Sequence, residues 1–114
     1  MSATINTRQN GGVSILDVSG KITLGDGSVV IREAVKKLVA DGTKNIVLNL
    51  GDVTYIDSSG IGELVSAFTS VSNNGGNLKL LNLTKRVQDL LQITKLYTVF
   101  EVFNDEAEAV ASFT

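Results

Sequence analysis

The chain has 114 residues, a formal net charge of −2, 43% hydrophobic residues and 19% charged residues, which is the composition of a single globular domain over residues 1–114. It contains neither cysteine nor histidine, which excludes disulfides, thiolate nucleophiles, imidazole-bound metals and Ser-His-Asp catalysis. The ten basic residues are scattered, and neither a signal-peptide pattern nor a membrane-length apolar run occurs. We therefore expect a cytoplasmic protein that neither binds nucleic acid nor inserts into a membrane.

The chain begins with a predicted β-hairpin. Thr4–Gln9 is a polar strand candidate suited to a sheet edge, and Val13–Ser19 is a second strand. The turn signal Asn10-Gly11-Gly12 lies between them. A glycine-rich connection over Gly20–Gly27 follows, and we predict that it is irregular.

A helix and a buried strand are predicted next. Apolar residues recur at helical spacing within Ser28–Asp41, and either Asp26 or Ser28 is placed to cap the start of this helix. Lys44–Leu50 contains the short apolar run that is typical of a buried strand. Val53–Ile56 is β-prone, and it either extends that strand or leads into the next loop.

The second half of the chain alternates helices and strands. A helix is predicted from about Ser59 to Asn73, and Leu78–Leu83 follows as a strand. Thr84 is placed to cap a third helix. Tyr97–Phe103 contains a fifth strand, and Asn104-Asp105 opens a short terminal helix.

The element order is therefore β-β-α-β-α-β-α-β-α. Strands that alternate with helices pair mostly in parallel through right-handed crossovers, whereas the opening hairpin supplies one antiparallel edge. We predict an α/β domain with a mixed, mostly parallel sheet of about five strands and about four helices.

The segment Asp57–Gly62 is the candidate functional site, because it joins the buried strand to the start of a helix. Free backbone N–H groups and the positive end of the helix dipole stabilise a negative charge there, including that of a phosphate. Ser58 and Ser59 are either ordinary helix caps or part of a switch. Gly60 and Gly62 either permit close packing of the first turn against the sheet or belong to a surface that another backbone or a phosphate approaches closely. Each costs a helix about 1 kcal/mol, which favours the second interpretation.

The string Ile56-Asp57-Ser58-Ser59-Gly60-Ile61-Gly62 resembles the I-D-S-S-G-[LI]-G signature of bacterial anti-sigma factor antagonists, the founding members of the STAS domain family. The resemblance covers nearly the whole chain. It includes the hairpin that ends at Gly20, the strand run Asn45–Leu50, the turn Asn74-Gly75-Gly76 and the basic string Lys85-Arg86-Val87.

This resemblance implies that a partner kinase phosphorylates Ser58, with Ser59 as a helix cap and Asp57 as a residue that supports kinase interaction or loop shape. It implies partners of two kinds, an anti-sigma factor that is itself a serine kinase and a phosphoserine phosphatase. The unphosphorylated form binds the anti-sigma factor and so releases a sigma factor, and the chain is neither an enzyme nor the holder of a cofactor or metal. The implied partner-binding residues are Asp57, Ser59, Gly60, Ile61, Gly62, Thr23 and Asp26. A phosphate beside Asp57 and Glu63 is expected to repel the partner.

Thr23 departs from the family pattern, in which an aspartate ends the string G-x-[LI]-D after the hairpin. Here the string is Gly20-Lys21-Ile22-Thr23, and Asp26 follows three residues later as a possible substitute. The missing carboxylate leaves open a second reading within the same family. In that reading the chain is a subunit of a stress-signalling or transport assembly that has no sigma factor partner.

Two readings from other classes are weaker. A receiver domain would use Asp57 as its phosphoacceptor, but no acidic pair follows the first strand and no lysine ends the fifth. A binder of a nucleotide or small anion would use the loops Ile22–Gly27 and Asp57–Gly60, but no Walker-type glycine-lysine string is present.

Overall fold

The computed structural model describes residues 3–23 and 25–113, except for the side chain of residue 26. These residues form five strands and four helices, which confirms the predicted mixed α/β fold. Their bounds are β1 Thr4–Asn10, β2 Val13–Ile22, α1 Asp26–Ala40, β3 Asn45–Ile56, α2 Ser58–Asn73, β4 Asn77–Leu81, α3 Lys85–Ile93, β5 Val102–Phe103 and α4 Glu106–Ala111.

The strands lie in the sheet in the order in which they occur in the chain. β1 pairs antiparallel with β2, and every later neighbouring pair is parallel. The main core lies between the sheet and helices α1, α2 and α3, whose buried residues include Ile31, Leu64 and Val87. A smaller core lies on the opposite face, where Ala109 of α4 packs against Ile15 and other strand residues. The domain therefore has three layers, with α4 alone on the second face within the described residues.

An ion-pair network joins α4 to the first two strands. The Arg8 guanidinium binds the Asp17 carboxylate on β2 and the Glu106 carboxylate on α4, the latter at 2.7 Å between Nη2 and Oε1. Asn49 donates to the same aspartate at 2.8 Å. Hydrogen bonds from Arg8 hold the pKa values of both carboxyl groups below their usual range.

β3 is longer than the strand predicted over Lys44–Leu50, because Val53–Ile56 extends it. The register with β2 shifts twice in this extension, so that the buried side chains Leu50, Val53 and Ile56 occur at every third position. β4 pairs with β3 only as far as Asn49. The last residues of β3 therefore project past β4, and they carry the Asp57–Gly62 segment to the carboxyl edge of the sheet.

The fifth strand lies within the predicted segment Tyr97–Phe103 but is shorter than its expected core, Val99–Phe103. Only Val102–Phe103 pairs with β4, whereas the preceding residues form turns. Phe100 is buried in the main core, and its ring meets the ring of Phe68 edge to face at a centroid distance of 5.4 Å. An apolar segment that looked like a strand thus turns inward to complete the core, because aromatic burial outweighs its β propensity.

The predicted caps of α1 are also wrong. The helix begins at Asp26, two residues earlier than predicted, and Gly25 occupies the N-cap position without a side-chain hydrogen bond. The hydroxyl of Ser28 instead donates to the carbonyl oxygen of Thr23 at 2.8 Å. The predicted cap at Thr84 is confirmed, since its hydroxyl accepts from the amide of Val87 at 3.3 Å.

Candidate functional site

The junction between β3 and α2 is capped by an aspartate. Asp57 has an extended backbone conformation and holds the N-cap position, with its Oδ1 accepting from the amide of Gly60 at 2.9 Å. Its carbonyl oxygen accepts the next helical hydrogen bond, from Ile61 at 3.0 Å. α2 therefore begins at Ser58, and the prediction that Ser59 caps the helix is wrong because Asp57 already does so.

Both serines that follow the cap are exposed. Among the residues that the structure describes, neither hydroxyl takes part in a hydrogen bond. An N-cap side chain accepts from one of the free amides at a helix start, and here the Asp57 carboxylate fills that role. The hydroxyls of Ser58 and Ser59 are consequently available to solvent or to another molecule, and a change at either one leaves the cap intact.

The two glycines of the first helical turns have different surroundings. Gly60 is buried, and a Cβ there would overlap the carbonyl oxygen of Ile22 and lie 2.7 Å from Cγ1 of Ile56. Gly62 is exposed, and no atom lies within 4 Å of the position of its Cβ. The predicted close approach of another backbone therefore holds for Gly60, which lets α2 pack against the end of β2, and does not hold for Gly62. Ile61 is buried as well, at 1% exposure, and belongs to the main core.

The end of β2 lies beside this junction. Ile22 pairs with Ile56 in the parallel register, and its carbonyl oxygen accepts from the amide of Asp57 at 3.4 Å. Thr23 follows directly and is half-buried, so the structure brings this predicted residue to the same edge of the sheet. The side chain of Asp26, another predicted partner-binding residue, lies outside the described residues.

Glu63 does not contribute a free charge beside Ser58. Its carboxylate is buried at 8% exposure, and its Oε1 accepts from Nη2 of Arg32 on α1 at 2.8 Å. This hydrogen bond raises the pKa of the arginine. The expectation that a partner would meet Glu63 next to the phosphate is thus wrong, because the residue ties α2 to α1 instead.

Arg86 is a residue of this site that sequence reasoning missed. It lies in the first turn of α3, where its Nε donates to the carbonyl oxygen of Ile56 at 3.1 Å. Its guanidinium carbon lies 4.1 Å from the centroid of the Tyr55 ring, which is a cation–π distance. Its position in the sequence could have indicated this contact. Because β3 and β4 are parallel, a basic residue at the start of the helix after β4 lies at the same sheet edge as the end of β3.

The fold and the site together define a class of small α/β domain that presents an exposed serine where a central parallel strand meets a helix. The sequence profile described as the STAS domain matches residues 4–109, and the chain belongs to this family. The resemblance predicted from the Asp57–Gly62 signature is thereby confirmed.

Two relatives of the chain are named as anti-sigma factor antagonists. The chain is 32% identical over 102 residues to the anti-sigma-B factor antagonist of Bacillus subtilis, an alignment that covers 90% of this chain and 92% of the relative. It is 23% identical to the anti-sigma F factor antagonist of Paenibacillus polymyxa, over 96% and 94% of the two chains.

Solved structures show the same fold. The crystal structure of a putative anti-sigma factor antagonist from Thermotoga maritima superposes with a TM-score of 0.86 at 23% identity, covering 95% of this chain and 92% of that one. The phosphorylated form of SpoIIAA, a Bacillus cell fate determinant, has a TM-score of 0.75 at 18% identity, over 97% and 100% of the chains. In the described part of this chain, no helix has both the length and the hydropathy needed to cross a membrane.

Proposed function

We propose that this protein is an anti-sigma factor antagonist whose unphosphorylated form binds an anti-sigma factor and so releases a sigma factor in the cytoplasm. The observation that carries the proposal is the exposed hydroxyl of Ser58, which follows the Asp57 cap directly and forms no hydrogen bond with the described residues. The names of the relatives support the class of partner. In this proposal the anti-sigma factor is a serine kinase, and a separate phosphoserine phosphatase resets the switch.

The chain supplies the phosphoacceptor and no catalytic group. The kinase transfers the γ-phosphoryl group of ATP to Oγ of Ser58, so that the bond to the β-phosphate breaks, ADP leaves and the hydroxyl proton passes to a base of the kinase. The phosphatase then hydrolyses the ester to serine and inorganic phosphate. This division of roles makes the chain a binding protein rather than an enzyme, with no cofactor of its own.

The physical basis of the switch is a change of charge at an interface. A phosphate adds about −1.5 to −2 charges at pH 7, and the first turn of a helix favours negative charge. Because Asp57 keeps the cap, the modified domain stays folded. The cost therefore falls on the complex, where an unpaired charge at a buried interface amounts to several kcal/mol, and each 1.4 kcal/mol is about tenfold in affinity.

The proposed contact surface is smaller than the set of residues that the sequence suggested. Ser58, Ser59 and Gly62 are exposed and can touch a partner directly, while Asp57 and Thr23 are half-buried beside them. Gly60 and Ile61 lie beneath this surface and act on a partner only by shaping the turn above them.

Phosphate mapping tests the assignment of Ser58. We expect the anti-sigma kinase of the source organism, with ATP, to phosphorylate the wild type and Ser59→Ala but not Ser58→Ala, as read by mass spectrometry of the peptide. We also expect Ser58→Ala to bind this kinase constitutively and Ser58→Asp to bind it poorly. Modification of Ser58→Ala at Ser59, or equal binding of the Ala and Asp variants, contradicts the proposal.

A second candidate function rests on Thr23, which stands where the family pattern has a carboxylate. In it, the chain is a subunit of a stress-signalling or transport assembly with no sigma factor partner. Affinity purification of the tagged full chain from the source organism separates the two. Recovery of a serine kinase supports the antagonist, and recovery of transporter subunits without a kinase supports the assembly.

A further inference from the structure

Arg86 differs from the other two arginines of the chain, because none of the carboxylates that the structure describes pairs with it. Arg8 binds two carboxylates, and Arg32 binds one. Across residues 3–23 and 25–113, with the side chain of residue 26 left aside, no carboxylate pairs with Arg86, and the one hydrogen bond it makes there uses Nε. The two terminal nitrogens of this guanidinium therefore keep their donors for another acceptor.

The guanidinium is also held in place. β4 stops opposite Asn49, so the carbonyl oxygen of Ile56 has no β4 neighbour and accepts from Nε of Arg86 instead. The Tyr55 ring, whose centroid lies 4.1 Å from the guanidinium carbon, restrains the group from a second side. A fixed planar donor loses little conformational entropy when it binds an oxyanion, which is the property that suits arginine to phosphate.

We infer that Arg86 binds the phosphate on Ser58 within the same chain. Ile56 and Ser58 are two residues apart, and two residues of extended chain span at most about 7 Å. A phosphoserine side chain and the free Nη groups of the guanidinium are together long enough to span a gap of this size. Arg86 is thus a positioning residue, which orients the phosphate and keeps it fully ionised near neutral pH. The inference rests on the proposed function only in taking Ser58 as the phosphoacceptor.

The test uses the full chain with phosphoserine installed at position 58 during translation, so that no kinase is needed. ³¹P NMR titration measures the second phosphate pKa, which is about 6 for an unperturbed phosphoserine. We expect this pKa to be lower in the wild type than in Arg86→Gln by about half a unit or more, since a nearby opposite charge favours the ionised form. Arg86→Lys, which keeps the charge, should restore part of the shift.

Arg32→Gln is the matched control, because it removes an arginine that is already paired with Glu63. We expect it to leave the phosphate pKa unchanged. An unchanged pKa in Arg86→Gln, or an equal change in Arg32→Gln, overturns the inference. A second measurement uses the wild type alone. On phosphorylation the NMR signals of the Arg86 Nη–H groups should sharpen and shift, and unchanged signals also overturn the inference.

These results are independent of partner binding. If the kinase of the proposed function does not bind the chain, the phosphate pKa still reports on Arg86. If Arg86→Gln weakens binding of the unphosphorylated chain while the phosphate pKa stays constant, Arg86 belongs to the partner interface and the inference is wrong.

Discussion

Substituting alanine at Gly60 and at Gly62 tests the packing of the Asp57–Gly62 segment with a matched pair of variants. Both glycines lie in α2, two residues apart, so the gain in helix propensity is similar at both positions, about 1 kcal/mol for alanine in a helix interior. Their surroundings differ. The new Cβ at position 60 overlaps the backbone of Ile22, whereas at position 62 it meets no atom within 4 Å.

The structure sets the size of the effect. The Cβ at position 60 would lie 2.7 Å from Cγ1 of Ile56, well inside the contact distance of about 3.5–4.0 Å between carbon atoms. Relief requires α2 to move away from β2, because the other overlapping atom belongs to the backbone. Overpacking costs about 1–3 kcal/mol, and an overlap with backbone belongs in the upper part of this range, about 2–3 kcal/mol, which exceeds the gain in propensity of about 1 kcal/mol. We expect Gly60→Ala to be destabilised by about 1–2 kcal/mol and Gly62→Ala to be stabilised by up to about 1 kcal/mol.

Urea unfolding of the two variants and the wild type measures both effects. With a slope of about 1–3 kcal/mol per molar urea, the midpoint should fall for Gly60→Ala and rise for Gly62→Ala. Equal shifts for both variants, or a stabilised Gly60→Ala, would show that α2 does not pack on the end of β2 as described.

Two further predictions concern the cap and the α4 network. Asp57→Ala removes the acceptor for the amide of Gly60 and should cost about 1 kcal/mol, whereas Asp57→Asn should cost less, as urea midpoints will show. Asp17 and Glu106 have lower pKa values in the folded chain than in the unfolded chain. Their contribution to stability is therefore complete above about pH 5, and it is lost as the pH falls through their unfolded-state and then their folded-state pKa values. Arg8→Gln should therefore reduce the loss of stability between pH 7 and pH 3, and an unchanged acid profile would argue against the network.

The order and type of the elements follow from periodicity. The glycine turns, the apolar stripes and the alternation of strands with helices predicted the mixed sheet, including its antiparallel edge. The length of the fifth strand was not predictable in the same way. Val99 and Phe100 have strand-like side chains, but they turn inward because the main core has room for an aromatic ring against Phe68. Tertiary packing, and not the local sequence pattern, therefore determines where the fifth strand begins.

The location of the candidate site was predicted from the sequence, whereas the helix cap and the contacts around it were not. The segment after the buried strand was found from the sequence, because a strand-to-helix junction has recognisable ends. Assignment of the cap to Ser59 failed because aspartate and serine are equally good caps by preference, and only the backbone geometry distinguishes them. The role of Gly60 and the contact of Arg86 with Ile56 depend on residues far apart in sequence, and no local pattern contains them.

Calorimetric titration of the anti-sigma kinase with one preparation of this protein, before and after complete phosphorylation of Ser58, tests the central claim most directly. We predict tight binding before the modification and an affinity lower by about a thousandfold after it, equivalent to about 4 kcal/mol. Circular dichroism should show an unchanged fold in both states. Equal dissociation constants for the two forms would contradict the claim that a phosphate on Ser58 switches the complex.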